Sequence, residues 1–398
     1  NPGPTNDPLA GVTFTIQKVG GLDVHDPADW PDITALNTAV QAGTVPTGLE
    51  AVPDGSKTTG SDGVVTWNPL AQGVYYVTET GAPANVAEHT LPFLVTVPMA
   101  HNSDNTWIYD VNVYPKNALV DIEKEAVDAG SAGVGSEVEW VVTSKVPTIQ
   151  RDFTDYALLD KLVPHVQYVA DSTVLKLGTT TLVAGTDYKI NATNHSATDG
   201  QGLRIDFTAA GLKKLDANNG GTLTWSFKTE VLSIGDGTIE NSASVLPNQP
   251  GNTWGQTPEP PTTPPPGVPS DEVYSNWGAL KINKYENTDG KKALSGAVFQ
   301  VFGSEADADV CVTAVEAAKG TLPAGCDNAI SVTRDATGAE IAAPGQNKFT
   351  TGVDGTVVIP GLHTGVTNVP AKDGDSVARD YWIVEIVPPA GFVNANTV

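Results

Sequence analysis

The sequence predicts an all-β protein made of three tandem β-sandwich domains. Apolar and polar residues alternate in many short segments, the period of a strand with one buried face. Gly and Pro number 40 and 29, which favours frequent turns over long helices. Clear helical periodicity is scarce, and strands separated by Gly, Asn and Asp turns with few helices point to sandwiches.

The elements follow in chain order. Gly11 to Val19 alternates and reads as a strand, as does Gly73 to Glu79. Asp32 to Gln41 is a short helix candidate. Leu203 to Phe207 and Leu223 to Val231 are further alternating strands, with a short helix expected at Ala209 to Leu215 between them. Residues 247–269 contain a run dense in proline, which cannot be a central strand and reads as a linker or long loop. A last helix is expected at Asp309 to Lys319.

An internal repeat organises these elements. Pro8 to Phe14 resembles Ala293 to Phe299, Thr58 to Val65 resembles Thr350 to Val357, and Tyr75 to Pro83 resembles Tyr381 to Pro389. The matches keep their order, so the first and third domains should share a fold that the middle one lacks. The expected boundaries give domains at 1–115, 116–278 and 279–398. The third domain has a strand, Ala279 to Tyr285, whose counterpart in the first would fall ahead of Asn1, so the first domain is expected to lack its first strand here.

Composition excludes several functions. Of 398 residues 40% are hydrophobic and 17% charged, the profile of a folded chain. The net charge of −24 repels phosphate backbones, which argues against nucleic-acid binding. No run of about 20 apolar residues is present, so the chain is not expected to contact a membrane, and no signal peptide is visible, as in a mature or trimmed chain. The six histidines show no zinc-hydrolase spacing, and neither a phosphate loop nor a nucleophile elbow occurs. The acidic groups Glu305, Asp307 and Asp309, or Asp104 and Asp110, could ligate calcium, but such clusters are more often solvated loops, and no metal or cofactor is assigned. The two cysteines, Cys311 and Cys326, read as one local disulfide and an oxidising compartment, with two free buried thiols as the alternative.

One segment carries specific chemistry. Residues 107–116 fit W-x-x-x-V-x-V-Y-P-K through Trp107, Val111, Val113, Tyr114, Pro115 and Lys116. This is the pilin motif of sortase-assembled Gram-positive pili, and the whole chain resembles a major shaft pilin, most like those of oral actinomycetes and corynebacteria. The resemblance implies three Ig-like domains of the Cna B or pilin isopeptide type, in an elongated rod. It also implies that a class C sortase joins Lys116 to the C-terminal threonine of the next subunit's LPxTG-type signal. Without the motif Lys116 would be an ordinary solvated lysine. The alternation of Trp107, Val111 and Val113 predicts a strand that Pro115 ends, leaving Lys116 at a strand end near the junction of the first two domains.

The resemblance further implies Lys–Asn isopeptide bonds, each formed without an enzyme beside a carboxylic acid. In the middle domain, Val120 to Ala126 resembles the family's first strand and offers Lys124; Thr238 to Val245 resembles its last and offers Asn241. Asp160 resembles the catalytic acid, with Asp155 as runner-up. In the third domain Lys284 matches the first-strand lysine, and Tyr381 to Phe392 resembles the family's E-box, with Glu385 as acid and departures at Ile386, Pro388 and Phe392. Its partner Asn is unknown. Asn394 and Asn396 follow Glu385 too closely for a return strand, so partner and sorting signal are expected past Val398. The first domain has an E-box-like Glu79 but no stapling lysine, since Lys18 lies on another strand, and no isopeptide bond is expected there.

The resulting expectation is a fimbrial shaft subunit on a Gram-positive cell wall, a sortase substrate and not an enzyme. Its partners would be a class C sortase, identical subunits joined head to tail, and unidentified host or bacterial surface receptors in adhesion and biofilm formation. The alternatives are a non-polymerising wall-anchored adhesin for a host protein or glycan, and a secreted carbohydrate-active enzyme with paired carboxylates.

Overall fold

The computed structural model describes residues 7–101, 106–246, 267–318, 323–335, 337–369, 371, 375 and 378–393. Most of the proline-dense loop, Asp104, Lys319, Asn394 and Asn396 lie outside the described residues. The chain divides into two compact units: residues 1–120 with 147–152 and 247–252, and residues 121–146, 153–246 and 253–398.

The first unit is built on a four-stranded antiparallel sheet, ordered Leu49–Thr58, Thr13–Val19, Gly73–Gly81, Phe93–Val97. Strand periodicity sends Val74 and Tyr76 to one face and Tyr75 and Val77 to the other. Val74 and Tyr76 pack with Val19, Ile33 and Val40, so the helix Trp30–Gln41 covers that face. Tyr75 and Val77 pack with Val12, Phe14 and Ile16. Burial on both faces explains why Gly73–Gly81 carries a run of large apolar residues at its start.

The second unit opens with two facing sheets. One places Glu137–Lys145 between Ile122–Ala126 and Thr222–Val231; its sequence alternates and so does its burial. Trp140 and Phe227 are opposite one another across the ladder and fully buried, and Trp140 Nε1 donates to Thr229 Oγ1 at 2.9 Å. The other sheet centres on Ala157–Leu162, between Gln201–Phe207 and Ala243–Leu246. The helix Ala209–Asp216 is capped by Thr208, whose hydroxyl accepts the Gly211 N–H. The long strand Val273–Asn283 then pairs with Thr238–Asn241 and with Thr356–Thr367. A last sheet orders Phe349–Thr350, Val298–Phe302 and Trp382–Val387.

The helix expected from Asp309 begins earlier, at Glu305, because the Ser304 hydroxyl accepts the Asp307 N–H and caps it. The acidic residues there occupy the helix's first turns, where the dipole favours negative charge. Hydrogen bonds from Ser304 and Asn328 hold the Asp307 carboxyl below its usual range. Cys311, on this helix, is joined to Cys326 in a disulfide, and both pack with Phe302, Val384 and Ile386. Among the described residues no helix is long and apolar enough to cross a membrane.

One predicted strand is corrected. Trp107 lies in the short strand Thr106–Ile108, paired with Met99–His101, but residues 109–117 form no strand. Alternation alone does not make a strand without a ladder partner. Here the Asn112 amide donates to the Asp110 carbonyl at 3.4 Å, a local bond that competes with pairing. Pro115 therefore does not end a strand; it precedes one, Ala118–Leu119.

His363 is fully buried where Thr356–Thr367 meets the loop 128–133. Its Nδ1 lies 3.0 Å from the Gly130 carbonyl and 3.6 Å from Asp128 Oδ1, its ring packs on Trp277, and Tyr381 donates to its carbonyl. Asp128 is itself paired with Arg379. Burial pushes the imidazole below its ordinary 6.5 despite the Gly130 and Asp128 oxygens. A lowered folded-state pKa means stability present above 6.5 and lost as pH falls through the folded value. In urea titrations at falling pH below 6.5, the native chain should lose stability faster than a His363→Gln variant. Equal acid slopes would rule this out.

Candidate functional site

The middle of the second unit holds the most unusual side-chain group. Lys124 sits on Ile122–Ala126, where positions 122, 124 and 126 point inward, so strand periodicity sends its amine into the core. Asp160 comes from Ala157–Leu162 in the facing sheet. Asn241 ends Thr238–Asn241, just before Ala243, the ladder neighbour of Asp160. The three residues are 1%, 0% and 2% exposed. Lys124 Nζ donates to Asp160 Oδ2, and the Trp140 and Phe227 rings lie 5.6 and 5.2 Å from Nζ. Asn241 lies close enough to Asp160 to moderate its pKa, yet among the described residues neither amide atom makes a hydrogen bond of ordinary geometry.

The electrostatics follow from burial. Desolvation lowers the Lys124 pKa against the opposing pull of Asp160. It raises that of Asp160 against Lys124 and Asn241. Both shifts favour a neutral amine beside a neutral acid, since an ion pair taken fully out of water is costly. A neutral amine beside a carboxamide and a proton donor has the components of amide exchange. Asp155 stands outside the strand, influenced by Asp206 and Arg204 rather than by a lysine.

In the third segment Lys284, just past Val273–Asn283, donates to Glu385 Oε2 at 2.8 Å. Their side chains remain 29% and 20% exposed, so this pair is not sealed as the middle one is. Asn394 and Asn396 are outside the described residues, and the structure brings together the lysine and the acid.

The motif residues lie in the first unit. The Trp107 ring is 5.3 Å from His25 and 6.3 Å from Trp30. Val113 and Tyr114 are exposed, and Val113 borders a shallow pocket of about 260 Å³ with Ile33, Phe93 and Met99. Lys116 is exposed, and its carbonyl accepts from Thr90 Oγ1 at 3.0 Å. Immediately after it the chain is held: Leu119 pairs with Val86, and Val120 N–H donates to the Asn85 carbonyl at 2.9 Å. The Glu79 side chain is enclosed, accepting from Thr90 N–H and from the Asn117 amide.

Sequence reasoning missed Thr90, Asn117, Trp140 and Phe227. The two aromatic residues could have been found, since each alternates inward on a strand bordering or near Lys124. Thr90 and Asn117 carried no signal, because their role depends on contacts 26 and 38 residues away.

The chain is similar to known proteins over nearly its whole length. Residues 1–118 match the family model for the N-terminal domain, D1, of Gram-positive pilin subunits. The chain is 31% identical over 417 residues to the type 2 fimbrial subunit of Actinomyces naeslundii, covering 97% of this chain and 72% of that one. It is 27% identical to the type 1 fimbrial subunit of Actinomyces viscosus, with the same coverage. Among solved structures it resembles the fimbrial protein FimP of Actinomyces oris, at TM-score 0.64 and 25% identity, covering 100% of this chain and 88% of that one. It also resembles the major pilin SpaD of Corynebacterium diphtheriae, at TM-score 0.65 and 26% identity, covering 98% and 83%. A multi-domain, mostly β chain of this similarity, matched over nearly its whole length, belongs to the family of Gram-positive fimbrial subunits, the pilins.

Proposed function

We propose that this pilin is the shaft subunit of a covalently polymerised, wall-anchored surface fimbria. A class C sortase would join Lys116 of one subunit to the C-terminal threonine of the next, and the assembled fimbria would serve adhesion and biofilm formation through surface receptors. The observation that carries this reading is the exposed end of the motif: the Lys116 side chain is exposed while the residues after it are pinned. An acyl-enzyme needs an accessible amine on a chain that does not move away.

The internal chemistry of this reading is single-turnover. The neutral Lys124 Nζ attacks Cγ of Asn241 while Asp160 protonates the carboxamide oxygen. Asp160 then relays the proton from Nζ to Nδ2; as the Cγ–Nδ2 bond breaks and ammonia leaves, the carbonyl re-forms and its oxygen returns the proton to Asp160, leaving an amide in place of the carboxamide. Lys284 with Glu385 would act likewise towards an amide not yet assigned. The domains 1–115, 116–278 and 279–398 would then be stapled in the second and third. The test is to digest native filaments and sequence the cross-linked peptides. The expected result is Lys116 carrying the C-terminal threonine of a neighbour; an unmodified Lys116 at every junction would reject the reading.

A further inference from the structure

Glu79 has no lysine among its hydrogen-bonded or ion-paired partners in the described residues, so it does not do what Asp160 does. Its side chain is nonetheless completely enclosed. A carboxylate taken out of water must have its oxygens satisfied, and both are. Oε2 accepts the Thr90 N–H at 2.9 Å, and Oε1 accepts the Asn117 Nδ2 at 2.7 Å, with His89 Nδ1 at 3.4 Å. Thr90 Oγ1 in turn donates to the carbonyl of Lys116 at 3.0 Å. The bonds close a ring: Glu79 to Thr90, Thr90 to Lys116, Lys116 along the chain to Asn117, and Asn117 back to Glu79.

We propose that Glu79 is a positioning residue for amine transfer at Lys116. It acts through Thr90 and Asn117 to fix the backbone from which the reactive side chain projects. This rests on the reading of Lys116 as the sortase acceptor. Before Lys116 the chain, at 109–115, is in no strand; after it, Ala118–Leu119 is paired. The ring sits at the change from one to the other. The flexible stem of the lysine supplies reach, and the ring supplies the origin from which it reaches. Displacing a reacting group by about 1 Å can cost on the order of a hundredfold in rate. Charge-assisted bonds to an enclosed carboxylate are strong enough to hold it.

The test uses the whole chain as amine acceptor, its pilin sortase, and a fluorescent LPxTG peptide as acyl donor. Label transferred to the chain is followed over acceptor concentration. Thr90→Val and Asn117→Ala remove one ring bond each, and Glu79→Gln keeps one acceptor oxygen. The expected result is a fall in kcat of roughly ten- to a hundredfold for the first two, with KM nearly unchanged and an intermediate value for Glu79→Gln. Thermal unfolding of each variant is measured in parallel. Wild-type rates in folded variants, or rates that fall only with the unfolded fraction, would overturn the proposal. Lys116→Arg separates the two claims. If that variant is still labelled, the acceptor assignment itself has failed. If it is unlabelled while the folded ring variants react normally, only the positioning role has failed.

Discussion

The intact chain should weigh about 17 Da less than its sequence mass for the bond at Lys124 and Asn241, one ammonia lost by the exchange of amides. Lys124→Ala and Asn241→Ala should each restore this mass. Asp160→Asn should do so too, although both bond-forming groups remain, because it removes the acid hydrogen-bonded to Lys124 Nζ. Lys124 and Asn241 are 117 positions apart, so the bond closes a loop over most of the middle segment. Loop closure of that length is worth about 5 kcal/mol in the chain-entropy description. For a domain of this size that corresponds to a fall of roughly 10 to 20 °C in Tm. Asp160→Ala should be the least stable variant, because it also leaves the buried Lys124 amine without its acceptor, a further cost of about 1 to 3 kcal/mol. Mass spectrometry and calorimetry check the two halves separately. A wild-type chain at full sequence mass, with all variants equally stable, would remove the isopeptide reading.

Lys116→Arg should abolish the ladder of covalent multimers when the full-length pilin is incubated with its sortase. The guanidinium keeps the positive charge but does not surrender a proton, so it cannot act as a nucleophile. Lys116→Ala, which removes amine and charge together, should give the same result, and the Arg variant shows that the amine rather than the charge is needed. Lys116 is exposed, so neither change should alter stability by more than about 0.5 kcal/mol. That separates this prediction from the previous one: Lys124 is read out in stability and mass, Lys116 in polymerisation alone. A ladder that survives either Lys116 substitution would refute the acceptor assignment.

The two lysines show how unevenly a sequence discloses its chemistry. Lys116 is marked by a local pattern, since residues 107–115, all ahead of it, resemble a known motif that ends in a lysine. The same local reading failed on geometry, because it assigned a strand to a segment whose Asn112 bonds to Asp110 instead. Lys124 was found only by resemblance of its strand to a family pattern. That it touches Asp160, 36 residues on, is a property of two sheets meeting, and no local feature of the sequence encodes it. The aromatic lining was half visible. Trp140 follows the inward parity of its strand, but its nearness to an amine on the adjacent strand required the register of the ladder.

What the sequence by itself determined is what depends on near neighbours. The β class and the alternating core positions follow from period and turn chemistry. The three short helices, the local cysteine pair and the repeat were legible for the same reason. The tertiary structure alone decided which polar groups lose their water. It enclosed Lys124 and Asp160 completely while leaving Lys284 and Glu385 partly wet, though sequence offered each as a lysine–acid pair. It also joined Glu79, an acid without a lysine partner in the sequence reading, through Thr90 and Asn117 to the backbone at Lys116. Desolvation is a sum over everything that surrounds a group, and most of those surroundings arrive from distant parts of the chain.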